Sequence, residues 1–375
     1  MTLNFPNTPS SGDQFTGSNN YIYEYDGEKW NFVKLVGGEF SSSAIQDGAV
    51  TTAKIADDVP LGNRNKIING DMRLAQRGTA AVTATAAYPV DRFRQLVENT
   101  AGAVTFQQET TDVPAGFDYA IKGTVTTADA TTDATQRWSI DQKIEGYNVA
   151  DLRFGTANAK SVTLSFWVKS SVAGVFCVSL LGAGSRGYVN EYTISSANTW
   201  EYKTITVPGD TSGTWDITTG TGLQVFFSLT GGSSLQGTAG SWQNVLKECS
   251  SNQTPLLQTL NATWLVSGVQ LEVGTTATPF EHRTFGDELS RCQRYYQENM
   301  VGVQTESGNV LVTHNLVPEM RATPSQALLV AGTVQSGTIA NSFGSPTSRS
   351  YYYQMSGVTS NGYTVGRIYS YTAEL

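Results

Sequence analysis

The chain has 375 residues, of which only 15% are charged, against roughly 25% in an ordinary globular domain. Its formal net charge is −8, from 24 Lys and Arg against 32 Asp and Glu; without a concentrated Lys/Arg face a nucleic-acid partner is excluded. No apolar run approaches the ~18 residues needed to cross a bilayer, which argues against membrane insertion.

Polar character is carried by Thr, Ser, Asn and Gln, and glycine is plentiful at 37 residues. Such a composition suits strands and tight turns better than helices. Three widely separated cysteines, Cys177, Cys249 and Cys292, read as core residues made in a reducing compartment, not as a disulfide framework. The opening MTLNFPNTPSSGD has neither a basic n-region nor an apolar core, so no secretory leader is expected.

Residues 1–35 form a first segment. After the turn chemistry of NFPNTPSSGDQFT, Tyr21, Tyr23 and Tyr25 alternate before an Asp26-Gly27 turn and a second strand from Trp30, a hairpin pattern. A hairpin alone is marginal in water, so this one either needs a partner surface or folds onto the main domain. Residues 36–62 are a linker in which Ile45, Val50, Ile55 and Val59 recur between small polar residues. That spacing fits neither 3.6 nor 2; it suits a thin shaft of three chains wound together, or a flexible tether.

The main domain, 63–285, opens with NKIINGDMRLAQRGT and runs through strand candidates separated by turn signals, the pattern of a sandwich or barrel. The clearest is SVTLSFWVKSS, in which Val162, Leu164, Phe166 and Val168 share one face and Thr163, Ser165, Trp167 and Lys169 the other. GVFCVSLLG, YVNEYTI, WEYKTITVPG, LQVFFSLT and TWLVSGVQLEV follow. Two sheets in jelly-roll order hide the edges of such a set economically. A loop at 231–255 exceeds the usual connection and is expected to be functional or mobile.

A short helix follows, assigned to 286–300. Thr284 stands three before Asp287, a capping-box spacing, and Leu289, Cys292, Tyr295 or Tyr296, and Met300 fall on one face. Residues 301–375 return to Tyr-rich strands. They could extend the sandwich, stand alone or pack between subunits. The fold class is therefore all-β: a jelly-roll β-sandwich with an N-terminal hairpin, a thin shaft or linker, one short helix and a C-terminal β unit.

Two resemblances meet in these residues. INGDM, SVTLSFWVKSS, TWEYKTITVPG and WLVSGVQLEVG resemble a carbohydrate-binding-module jelly roll. NKIINGDMRLAQRGT, YPVDRFR, PGDTSGTW, GVQLEVGTTATPFEHRTFGDELSRCQRYYQ and VPEMRATP together resemble bacteriophage tail-fibre and receptor-binding proteins. The DGEKW hairpin and the AIQDGAVTTAKIADD linker are similar to virion-anchor and shaft pieces of phage fibres. The resemblance implies a virion tail component assembled in the host cytoplasm and a homotrimer. Other tail proteins would be joined through the N-terminus, with Tyr21, Tyr23, Tyr25 and Trp30 as anchor residues. It implies attachment to a host-surface polysaccharide. The alternatives are a structural adaptor or decoration protein without receptor contact, or a non-catalytic carbohydrate-binding module.

Catalysis is not expected. The two histidines, His282 and His314, are far apart, so neither a zinc set nor a metal site is predicted. No nucleophile elbow, phosphate loop or dinucleotide fingerprint appears, and no cofactor is implied. A glycosidase needs two paired acids; Asp210, Asp216, Glu191 and Glu201 are candidates that nothing in the sequence pairs. Asn69-Gly70-Asp71 offers too few oxygens for Ca²⁺ and reads as a turn. Sugar binding requires aromatic faces beside hydrogen-bonding groups. Trp242, with Gln243 and Asn244 beside it, leads that set, followed by Trp215 and Tyr188; the competing role for each Trp is packing.

Overall fold

The computed structural model describes residues 4–17, 21–35, 62–182, 185–305, 308–330, 333–334, 342–343, 347–358 and 362–375. The shaft-or-tether stretch therefore lies almost wholly outside the described residues. The chain forms two compact units, Met1–Pro60 and Leu61–Leu375.

The first unit is a three-stranded antiparallel sheet of β1 (Gln14–Thr16), β2 (Tyr21–Tyr25) and β3 (Trp30–Leu35). The expected hairpin is present, but residues 14–16, which read as turn chemistry, supply a third strand. Its register sets Phe15 against Tyr23, Tyr23 against Phe32 and Tyr25 against Trp30. These rings share one face, which Phe5 covers by stacking on Trp30 at 5.4 Å. Aromatic pairs of this kind add to strand pairing, so the small sheet has an apolar layer of its own. The Asp26 carboxylate accepts the Glu28 and Lys29 amides at 2.9 Å each. Those hydrogen bonds hold its pKa at about 2.

The second unit is a sandwich. Its strands are β4 (Arg94–Glu98), β5 (Ala103–Glu109), β6 (Ala120–Thr127), β7 (Arg137–Glu145), β8 (Val162–Ser170), β9 (Gly174–Gly182), β10 (Arg186–Ile194), β11 (Glu201–Val207), β12 (Thr221–Gly231), β13 (Trp242–Gln243) and β14 (Thr263–Val273). A single helical turn, α1 (Gly146–Val149), follows β7. One sheet has the order β13-β10-β9-β12-β7-β4 and the other β11-β8-β14-β6-β5. Alternation does the sorting: Val162, Leu164, Phe166 and Val168 are all sealed in the core. There Phe166 meets Phe227 at 5.1 Å and Tyr192 at 5.2 Å. The Trp264 indole N–H donates to the Tyr192 hydroxyl at 3.1 Å, as burial asks of a polar ring, whereas the buried Trp138 indole N–H has no partner among the described residues.

The opening and closing stretches of the sandwich are knitted together. The Asn65 carboxamide accepts from the Leu271 amide at 3.0 Å and donates to the Val269 carbonyl at 3.0 Å. The Gly70 carbonyl accepts the Val269 amide, and a Cβ on Gly70 would lie 2.2 Å from the Val269 carbonyl oxygen; only glycine fits. Asn69, fully buried with φ +59, bonds the Leu74 and Asp91 backbones. The turn expected at 69–71 is thus a hub of the base.

Helix α2 (Phe285–Gln293) carries the expected cap, with the Thr284 hydroxyl accepting the Asp287 amide at 3.3 Å. Cys292 packs with Ile68, Leu74 and Tyr295. The helix ends well before 300. Tyr296 already belongs to β15 (Tyr296–Thr305), where it pairs with Thr372 of a distant strand. The remaining strands are β16 (Gly308–Asn315), β17 (Ser325–Val330), β18 (Thr333–Val334), β19 (Ser342–Phe343), β20 (Ser350–Val358) and β21 (Gly362–Thr372). They form two small sheets, one around β21 and one around β20, separate from both sheets of the sandwich.

The far end of β21 returns to the sandwich base. Glu374 meets Arg77 at 3.0 Å and also pairs with Arg92. Arg77 stacks between Tyr88 (4.4 Å) and Tyr296 (3.7 Å), and Arg92 over Tyr295 (3.5 Å). Tyr295 and Arg294 both donate to Glu145. The C-terminal strands add no strand to either sheet of the sandwich, and these contacts tie the segment after β21 to its base.

Candidate functional site

The long loop at 231–255 is not free. It lies on the outer face of the six-stranded sheet, where the Ser179 hydroxyl donates to the Glu248 carbonyl at 2.8 Å and the Ser250 amide to Cys177 Sγ at 3.3 Å. Cys177, Cys249 and Val189 form an apolar cluster beneath it. Within the loop, β13 pairs with β10 and sets Trp242 opposite Tyr188.

That pairing gathers residues far apart in sequence. Trp242 lies 5.2 Å from Tyr188, 5.5 Å from Trp215 and 5.6 Å from Phe154, all edge to face, and Phe154 lies 4.9 Å from Trp215. Trp215 rests on Gly182, where a Cβ would come within 2.7 Å of the indole. Beside the rings, the Arg186 guanidinium grips Asp210 and also donates to Asn244. Trp242, Trp215, Tyr188 and Asn244 therefore meet at one rim of the sandwich. Gln243 points the other way and bonds both backbone atoms of Thr238. Packing has already used much of the rim. The Trp242 indole donates to the Pro208 carbonyl at 2.7 Å and that of Trp215 to the Ser212 carbonyl at 3.2 Å. Tyr188 is buried, and burial raises the pKa of its phenol; it backs Trp242 as a wall.

A second aromatic set lies on the outer face of the five-stranded sheet. The β11–β8 register places Tyr202 beside Trp167, with ring centroids 5.3 Å apart. Tyr202 is 44% exposed and Trp167 half-buried. Thr204 and Thr206 continue the same face opposite Ser165 and Thr163. At the other end the Trp200 indole donates to Asp112 at 3.1 Å, and Lys169 pairs with the same carboxylate at 2.8 Å. Thr163 and Ser165 are buried. The ledge therefore consists of the rings flanked by the exposed Thr204 and Thr206 hydroxyls and an ion pair, groups suited to a sugar's C–H face and hydroxyls. Sequence reasoning left Trp167 undecided and passed over Trp200 and Tyr202. The period-two run Trp200, Tyr202, Thr204, Thr206 is the signal that could have found them.

The four acids considered for catalysis are held apart in separate roles. Asp210 faces Arg186, Asp216 accepts the Thr218 amide, Glu191 accepts from Asn252, and Glu201 accepts the Ser195 and Ser196 amides. His282 packs between the Phe280 and Phe117 rings. Among the described residues no three His, Cys, Asp or Glu side chains gather as around a metal ion, and no helix is long and apolar enough to cross a membrane.

No family model matches the sequence, and no curated protein matches it. Solved structures with partial likeness include the enzymatically active domain of bacteriophage CBA120 tailspike protein 4, at 10% identity and a TM-score of 0.31 over 56% of this chain. The chain covers 21% of that tailspike domain. The family 11 carbohydrate-binding module of a cellulosomal cellulase from Clostridium thermocellum is 15% identical, with a TM-score of 0.28 over 53% of this chain and 98% of the module. The CBM22-1 xylan-binding domain from Paenibacillus barcinonensis is 11% identical, with a TM-score of 0.26 over 57% of this chain and 96% of the domain.

Proposed function

We propose that this chain is a non-catalytic, phage tail-fibre-like attachment protein whose sandwich binds host-surface polysaccharide. The observation that carries the reading is the open pair Trp167–Tyr202 with its flanking hydroxyls and the Trp200–Asp112–Lys169 group. The rim of Trp242, Trp215 and Asn244 is a secondary contact region. Each copy binds weakly; three copies fixed through residues 1–35 to a tail assembled in the host cytoplasm would raise avidity through effective concentration. The sequence resemblance to tail fibres supports the virion setting.

The test is binding of purified protein to host-surface polysaccharide, with Trp167→Ala and Tyr202→Ala alongside the parent. Stacked aromatic contacts predict a loss of about 1 kcal/mol or more per ring, with circular dichroism confirming that each variant is folded. Undiminished binding in the double variant would remove the ledge from the function. Light scattering on the full chain checks the trimer. A second reading, an adaptor docking another virion protein, is favoured by the exposed Leu328 and Leu329 on strand β17 at the edge of its sheet; unpaired apolar edges invite a partner strand.

A further inference from the structure

A cleft of about 330 Å³ opens between the start of the sandwich, α1 and α2, away from both aromatic sets by its lining residues. Ligand pockets begin at roughly 300 Å³, so the cleft suits one sugar unit and not a long chain. Tyr147 stands at it with 60% of its surface exposed, on a turn fixed by its own amide donating to the Thr218 carbonyl at 2.9 Å. An exposed ring on a fixed turn is a ready stacking face.

The polar lining holds two cations, Lys66 and Arg291, each already beside one carboxylate, Asp151 and Asp287 respectively, and each with donors to spare. Lys66 Nζ lies 2.9 Å from both Asp151 oxygens, which satisfies two of its three protons. Arg291 directs Nη2 to Asn63 at 2.7 Å and Nε to Asp287 at 3.3 Å. Its Nη1 has no protein partner among the described residues. The side-chain amides of Asn63 and Asn148 stand beside these cations.

We propose that this cleft is a second saccharide site, selective for a sugar unit that carries a carboxylate. Arg291 Nη1 and Lys66 receive the carboxylate, Tyr147 stacks on the ring, and the two asparagines bond its hydroxyls. A guanidinium suits this task because it donates to carboxylates in a fixed geometry. The site shares no lining residue with the ledge, so it stands or falls separately from the reading above.

The test is titration of the intact full-length protein with galacturonate, galactose and inorganic phosphate, followed by NMR or calorimetry. Galacturonate is expected to saturate the site and to bind about tenfold or more tightly than galactose, the worth of one charge-assisted contact. Arg291→Gln should remove that preference, and Tyr147→Ala should weaken both sugars. Circular dichroism melts confirm that each variant is folded. Equal binding of galactose and galacturonate would overturn the proposal, as would phosphate competing as well as the uronate. Absence of saturable uronate binding at millimolar concentration, or an unchanged preference in Arg291→Gln, would do the same.

Discussion

Arg186 and Asp210 meet side by side, Nε 2.6 Å from one carboxylate oxygen and Nη2 2.6 Å from the other. Their side chains are only 9% and 2% exposed, and the pair ties the segment bearing Trp215 to strand β10, from which Arg186 also reaches Asn244. Removing the anion strands a buried guanidinium. Asp210→Ala should therefore cost about 3–5 kcal/mol in urea unfolding, while Asp210→Ala combined with Arg186→Met should recover part of the loss. A cost below about 1 kcal/mol would mean the pair is solvated in solution.

Trp242 and Trp215 can be separated as packing or as platform. Trp242→Ala should destabilise the sandwich by about 2–3 kcal/mol, somewhat less than a fully buried tryptophan. Gly182→Ala should push Trp215 outward at a cost of about 1–3 kcal/mol through overpacking. Thermal melts with tryptophan emission read both. Unchanged stability in Trp242→Ala, with weakened polysaccharide binding, would assign that ring to ligand instead.

Glu109 gives the acid response a defined origin. Burial raises its pKa, but the Thr111 hydroxyl, the Thr111 and Asp112 amides and Lys122 outweigh that, holding it at about 2 against an ordinary 4.5. A folded value below the unfolded one favours the folded state above pH 4.5, and the benefit fades as pH falls through 2. The stability difference between the parent and Glu109→Gln should thus be constant above pH 5 and shrink between pH 4.5 and 2. A difference independent of pH would refute the assignment. The same turn holds Asp112, so Glu109→Gln should also loosen the Trp200 end of the ledge.

What was legible in the sequence was what short-range chemistry decides. The alternation of β8 and the Thr284–Asp287 cap both survive in the structure because period and cap are local properties. Strands β4 to β7 were not singled out. In β7 the alternate positions Ser139 and Asp141 are polar yet buried. Asp141 is paired with Arg94 at 3.0 Å and bonded by Gln224 at 2.7 Å, partners that no local pattern reveals. The end of α2 was misread for a similar reason. Tyr295 continues the helical stripe into the base cluster, but Tyr296 is claimed by pairing with Thr372 on a distant strand.

The candidate site was legible by residue type and not by grouping. Trp242, Trp215 and Tyr188 were read singly; their meeting depends on β13 docking against β10, a choice made by the loop's tertiary contacts. The ledge depends likewise on the register that brings Tyr202 beside Trp167. Exposure, the property that separates platform from packing, is set by those pairings and has no counterpart in composition.

The bond between Arg77 and Glu374 joins residues 297 positions apart. The entropy of closing so large a loop grows only logarithmically, so the bond is thermodynamically tolerable, but the loop must close before the contact is gained, which makes pairing this remote slow. Until β21 arrives, Arg92 lacks the Glu374 carboxylate and Arg77 keeps only Asp91, at 3.4 Å, while the two sheets of the sandwich can already have assembled. The base is in this sense a closing step. A chain stalled before it would present intact sheets with Arg92 short of its carboxylate, a species that refolding kinetics should detect as a slow final phase sensitive to Glu374→Gln.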